Sequence, residues 1–291
     1  MASSVAETDG SARDTLSRPR TIYRHTLPIR IMHWINFLCM FILLLSGFQI
    51  FNAHAALYWG ETSHFDGPLL AMDARRNDEG EMIGITTLFG HEFETTGFLG
   101  ASTGSRGDVE RRAFPTWLTI PGPRWLAMAR RWHFFFAWLF VINGLLYVTY
   151  SLWSRHASRD LAPTRADWRG IGRSIVDHAL LRHPRGEAAA RYNVLQKLSY
   201  LFVIVVLGPL VVLMGLAMSP HMNTVLGWMV ELVGGRQSAR TIHFIVAMAL
   251  IAFFFVHVFE VIVTGLANNM RSMITGRYKI KPTEDSSDVR D

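Results

Sequence analysis

The sequence predicts an all-α integral membrane protein built as a four-helix transmembrane bundle. Three observations carry that prediction. Apolar residues concentrate in four long blocks, arginines cluster at the ends of those blocks, and histidines recur inside them. A bilayer crossing takes roughly 20 mainly apolar residues, and such a run must be helical because lipid cannot satisfy backbone polar groups. The four runs are 31–51 (IMHWINFLCMFILLLSGFQIF), 132–153 (WHFFFAWLFVINGLLYVTYSLW), 198–218 (LSYLFVIVVLGPLVVLMGLAM) and 241–266 (TIHFIVAMALIAFFFVHVFEVIVTGL). None shows the two-residue alternation of a membrane barrel strand. Trp132, Tyr147, Tyr150 and Trp153 lie toward the ends of the second run, where amphipathic rings anchor helices.

Composition narrows the class further. Half of the 291 residues are hydrophobic, and a single cysteine, Cys39, lies inside the first apolar run. That excludes a disulfide within the chain and any cysteine-ligated zinc or iron–sulfur cluster. The net charge of +6 comes from Lys and Arg that flank apolar runs, which is a topology signal rather than a nucleic-acid-binding face.

Those basic residues predict orientation. Arg18, Arg20, Arg24 and Arg30 precede the first run, and Arg155, Arg159, Arg165 and Arg169 follow the second. Arg182, Arg185, Arg191 and Lys197 precede the third run, and Arg271, Arg277, Lys279 and Lys281 follow the fourth. The connection 219–240 holds only Arg236 and Arg240. Both termini and the loop 154–197 are therefore expected in the cytoplasm. Arg111, Arg112, Arg124, Arg130 and Arg131 fall on the opposite side, but loops longer than about 60 residues weigh little in this rule.

The expected organisation is a polar, disordered cytoplasmic tail over 1–24, a membrane domain over 25–280 and a second tail over 281–291. No apolar run of a cleavable leader is evident near the start. The outer loop 52–131 is rich in Gly and aromatics, and reads either as a partner-docking surface or as a small cap. Residues 223–233 (NTVLGWMVELV) are too short to span and read as an amphipathic interfacial helix.

Histidines inside the runs carry the chemistry, since ionisable groups in a membrane are costly and usually functional. His243 and His257 stand 14 residues apart, within about 40° of four full helical turns and roughly 21 Å along the axis. Both face one side, one near each end of the fourth helix. His33 opens the first run at its inner end, and His133 opens the second at its outer end. Depth therefore pairs His33 with His257 and His133 with His243. Neutral imidazoles in such pairs are axial ligands for haem iron, so two haems b stacked across the bilayer are expected. A zinc site is disfavoured because His243 and His257 cannot share one coordination sphere. The bland alternative makes each histidine an interface anchor. Gly47 lies 14 residues after His33 and Gly144 lies 11 after His133, giving each ligand helix a missing side chain at the other level. Such glycines give a porphyrin clearance, or serve helix contacts alone. Arg30, Arg130 and Arg131, near the ligand ends of their helices, are candidates for haem propionates or for lipid headgroups.

The segments RIMHW (30–34), RRWHFFF (130–136), RYNVLQKLSY (191–200) and TIHFI…FFFVHVFE (241–260) resemble the four-helix di-haem cytochrome b family, the membrane subunits of formate dehydrogenase, nickel–iron hydrogenase and thiosulfate-reductase-like enzymes. The resemblance runs from about 24 to 280. It implies a subunit of the bacterial inner membrane that passes electrons between a periplasmic oxidoreductase and the quinone pool. It also implies a quinone site beside the inner haem at Tyr192, Asn193 and Gln196, with Glu260 as proton relay. Asn193 and Gln196 are equally suited to capping the third helix. The long outer loop departs from the formate dehydrogenase and hydrogenase members, which favours a molybdopterin-type partner over a hydrogenase. Two other readings stand beside this one. The first is a self-contained oxidoreductase using an external one-electron donor such as superoxide. The second is a non-redox transporter with intramembrane histidines.

Overall fold

The structure is a computed structural model that describes residues 20–65, 67–182 and 191–280. Residues 1–19 and 281–291, expected as tails, and Arg185 lie outside the described residues. Its helices are α1 (Leu27–Phe51), α2 (Leu126–Trp153), α3 (Arg165–Arg169), α4 (Ile171–Ala179), α5 (Val194–Phe202), α6 (Gly208–Ala217), α7 (Asn223–Leu232), α8 (Arg236–Val263) and α9 (Leu266–Thr275). Four helical stretches are long and apolar enough to cross a membrane: Leu27–Phe51, Leu126–Trp153, Val194–Ala217 and Arg236–Val263. The protein is thus a mostly helical membrane bundle. The third span joins α5 to α6 through a π turn at Val203–Leu207. Pro209 supplies the reason: it has no N–H for the helical ladder, and a wider turn absorbs the lost bond. The fourth span ends at Val263, three residues before the expected Leu266, because Gly265 at φ 111° turns the chain into α9.

The chain divides into two compact units, and every spanning helix contributes residues to both. The first comprises the described residues of 20–33, 147–202 and 253–280. Here strand β1 (Arg20–Tyr23), expected as tail, pairs antiparallel with the last strand, Arg277–Ile280, in the register Arg20↔Ile280 to Tyr23↔Arg277. The β-prone Thr21-Ile22-Tyr23 run explains the strand. Gly276 (φ 81°) feeds the last strand, and a Cβ there would stand 2.9 Å from the carbonyl oxygen of His25, so the turn requires glycine. Helix α3 opens on a capping box in which Thr164 and Asp167 satisfy each other's backbone N–H groups. Asp167 also accepts from the Lys197 ammonium at 2.9 Å, at the start of the third span. That ion pair, with the Thr164 N–H, holds the Asp167 carboxyl at about 2, below its ordinary value.

The second unit comprises Trp34–Leu146 and Val203–Ala252. The all-α bundle carries an addition in its 52–131 segment, expected as an outer loop, which holds six short β-strands. Strands β2 (Ala56–Leu57), β3 (Leu70–Arg76), β4 (Met82–Leu88) and β5 (His91–Glu94) form an antiparallel sheet in that order. Strands β6 (Gly100–Thr103) and β7 (Val109–Arg112) form a hairpin, and β8 is the Arg277–Ile280 strand of the first unit. The β3–β4 turn is written in the sequence: Asn77 Oδ1 accepts the N–H groups of Glu79 and Glu81, and Gly80 takes φ 83°.

This segment plugs onto the end of α1. Phe114 stacks on Phe48 at 4.0 Å between ring centroids, within a cluster of Phe48, Phe51, Leu57 and Ala113. Buried Arg112 ties the plug down. Its guanidinium donates to Phe114 O, Gly122 O, Gln49 Oε1 and Thr119 Oγ1. A charge taken out of water needs such complete satisfaction. A second cluster packs Met229 and Val230 of α7 on Met214, Ala217 and Ala239. The helix expected over 223–233 therefore forms as Asn223–Leu232, with Val225, Trp228 and Leu232 exposed.

Two expected outcomes follow from these anchors. Arg112→Ala removes four donated hydrogen bonds, each worth about 1 kcal/mol, while Asn52 and Thr119 still donate to three of the acceptors; a thermal melt of the detergent-solubilised protein should fall by several degrees, with Arg112→Lys recovering only part. Asp167 has a depressed folded pKa, so its stabilisation is present above its free value of 3.8 and is lost as pH falls toward 2. Lys197→Met should lower the melting temperature at neutral pH and flatten its decline across that acid window.

Candidate functional site

The structure brings the membrane histidines together as two pairs, one in each unit. His33 of α1 faces His257 of α8 with ring centroids 6.3 Å apart and planes at 57°. His133 of α2 faces His243 of α8, also at 6.3 Å, with planes at 63°. Two metal–nitrogen bonds of about 2 Å, plus roughly 1.1 Å from each nitrogen to its ring centre, add to about 6.2 Å. Both gaps are thus the width of one iron ion. Among the described residues no cluster of three or more His, Cys, Asp or Glu side chains is placed to hold a metal ion. A site offering two imidazoles and nothing else suits an iron whose remaining ligands come from a macrocycle.

Hydrogen bonds set the direction of the second pair. Ser46 donates its hydroxyl proton to Ile42 O at 2.6 Å, so its oxygen accepts the Nδ1–H of His133 at 3.1 Å. His243 donates Nδ1–H to Val211 O at 2.8 Å. In each ring Nδ1 carries the proton and Nε2 keeps the free lone pair, which is the arrangement a metal ligand needs. Glycines give these rings room. A Cβ on Gly47 would stand 3.4 Å from His133 Cε1, and one on Gly215 would stand 3.4 Å from His243 Cε1. Gly144 has nothing within 4 Å of its Cβ position. Gly47 therefore packs against a ligand ring, while Gly144 borders open space. In the first unit, Phe253 stacks on His257 at 5.9 Å and Tyr200 meets it edge-on at 6.2 Å.

The three arginines differ in placement. Arg30 donates to Ile274 O in the last turn of α9 and so caps a helix end. Arg130 is exposed and lies over the Phe134 ring at 5.7 Å, and Arg131 is exposed. Arg240, one turn before His243, counted in the sequence only as a charge for orientation. It donates to Ala56 O and His54 O and covers the Phe51 ring.

The residues implied for quinone are spread out. Asn193 Oδ1 accepts the Gln196 N–H at 2.8 Å and Gln196 Oε1 accepts the Asn193 N–H at 3.2 Å. This reciprocal cap starts the third span and uses both side-chain carbonyls, leaving both amide NH₂ groups outside it. Tyr192 is half-buried beneath the Arg24 guanidinium and perpendicular to Tyr200, and desolvation pushes its phenol up. The neighbouring His25 is pushed down to about 4 by burial and by Arg24. Glu260 Oε1 lies 3.4 Å from His178 Nε2 of α4. His178, Arg173, Ser174, Asp177, Arg182 and Asn193 line a cleft of about 440 Å³. Asn193 is the one implied residue that lines it, and Glu260 reaches it through His178. Ser46, Gly215 and His178 carry the geometry that sequence reading missed; a lone serine inside an apolar run was the signal available for the first.

Two comparisons bear on identity. The family model of prokaryotic cytochrome b561 matches residues 24–276. Over 149 residues the chain is 35% identical to the putative protein-methionine-sulfoxide reductase subunit YedZ1 of Azospira oryzae, spanning 50% of this chain and 69% of that protein. Cytochromes of this family bind haem b, the group that the paired imidazoles fit. With four membrane-spanning helices and that match over most of its length, the chain belongs to the prokaryotic cytochrome b561 family, as a membrane electron-transfer subunit.

Proposed function

We propose that this subunit holds two haems b, one between His33 and His257 and one between His133 and His243, and passes electrons between a periplasmic oxidoreductase and quinone. The observation that carries the reading is the equal 6.3 Å spacing of both imidazole pairs. When bound, haem b supplies a one-electron iron couple. The chain supplies the rest. Ser46 and Val211 orient two of the ligands, Gly47 and Gly215 let those rings seat, and apolar helix walls keep water out.

The arginine distribution supports an inner-membrane protein with both termini and the 154–197 loop in the cytoplasm. The 52–125 segment then faces the periplasm. It exposes Phe65, Phe89, Phe93, Phe98 and Trp117, the residue types that anchor protein interfaces. The relative is named as a reductase subunit, which supports a reductase partner, taken here as molybdopterin-type, over a hydrogenase. On the cytoplasmic side, quinone lies against Tyr192, Asn193 and Gln196. The free amide NH₂ groups donate to its carbonyl oxygen, and Glu260 with His178 conducts the proton to or from the cleft.

Haem counting tests this reading. Each of His33→Ala, His257→Ala, His133→Ala and His243→Ala should halve the haem per chain in a pyridine haemochrome assay and remove one component of the reduced-minus-oxidised spectrum. Unchanged pigment would sink the assignment, and a colourless wild type would leave the transporter reading. Glu260→Gln should leave haem content untouched while slowing electron exchange with a soluble quinol several-fold. An unaltered rate removes Glu260 from proton transfer.

A further inference from the structure

Helix α4 is amphipathic in the opposite sense to a helix on a soluble protein. Its polar residues Ser174, Asp177 and His178 turn inward to line the cleft, and His178 meets Glu260. Its apolar residues turn outward. Gly172, Ile175, Val176 and Ala179 follow the i, i+3, i+4, i+7 spacing of one stripe, and all four are exposed. Ile175 and Val176 are 52% and 54% exposed, and Leu180, Leu181 and Trp168 beside the helix are exposed to the same degree. Solvent on that side would leave the apolar face wetter than the half-buried polar face.

Charge says what covers the stripe. Six arginines lie in 155–182, at 155, 159, 165, 169, 173 and 182, against three aspartates. Two of those aspartates already have partners, Asp160 in His156 and Asp167 in Lys197. Arg165, Arg169, Arg173 and Arg182 are all exposed. Chain continuity holds the segment at the membrane surface, since it joins the span ending at Trp153 to the span beginning at Val194.

We propose that α4 is a membrane-surface helix, with its Gly172–Ile175–Val176–Ala179 stripe among lipid acyl chains and the surrounding arginines on anionic phosphate headgroups. Long basic side chains around an apolar stripe suit this position, because the stems lie in the apolar boundary and the guanidiniums reach the phosphates. The cleft behind α4 then opens at the level of the lipid headgroups.

The test uses the full haem-loaded chain in vesicles of phosphatidylcholine, with and without phosphatidylglycerol. Nitroxide labels go on Ile175→Cys, Val176→Cys and, as a water reference, Glu79→Cys. Cys39 is fully buried and stays unlabelled. Haem spectra confirm that each variant is folded. The ratio of oxygen to nickel-chelate accessibility at 175 and 176 should exceed that at 79 several-fold, and should rise further with phosphatidylglycerol. Replacing Arg165, Arg169, Arg173 and Arg182 together by Gln should abolish that second rise. Ratios equal to the reference place the helix in water and overturn the proposal. Exclusion of both reagents marks a protein partner on the stripe and overturns it equally. Indifference to phosphatidylglycerol overturns the headgroup assignment.

Discussion

Two imidazoles facing each other across a gap one ion wide, in a medium that offers no water, form the constraint on which this architecture rests. In the His133–His243 pair Nδ1 of each ring carries the proton, so both Nε2 atoms are acceptors and no hydrogen bond draws those rings together. The separation must be imposed from behind. For the His133–His243 pair that backing is concrete: a serine oxygen and a backbone carbonyl fix the proton on Nδ1, and glycines on neighbouring helices receive the rings. In the His33–His257 pair, Phe253 and Tyr200 flank the His257 ring. The two sites share one spacing.

Much of this was legible in the sequence. Four apolar runs gave four spans with ends displaced by a few residues, because apolar length is what lipid selects. The helical offset between His243 and His257 put them on one face, and the depth argument paired them with His33 and His133, as the structure brings them together. The backing residues were less visible. Ser46 stood out only as a polar residue in an apolar run, and the role of Val211 belongs to its carbonyl, which no side chain advertises. Gly215 became informative only once its neighbour was known to be His243. The Asn193–Gln196 pair was ambiguous because the same side chains serve capping and ligand binding, and the structure uses their carbonyl halves for the cap.

The 52–131 segment eluded the sequence for a different reason. Its strands are four to seven residues long apart from the two-residue β2, and their alternation is interrupted by charged pairs and glycines. The turn at Asn77–Gly80 was the one strong local signal. What fixes the segment is non-local: Arg112 gathers acceptors from α1 and from the loop after its own hairpin. In the proposed function such an anchor serves docking, because a rigid surface loses less entropy when a partner binds.

The pairing of β1 with β8 has a mechanical consequence. It clasps the start of the first span to the tail of the fourth through antiparallel backbone hydrogen bonds. His33 follows β1 within one helix, and His257 precedes β8 across α9. A displacement of either strand is therefore shared by the two helices that bear this pair, so the clasp couples both ligands of one iron-width gap mechanically.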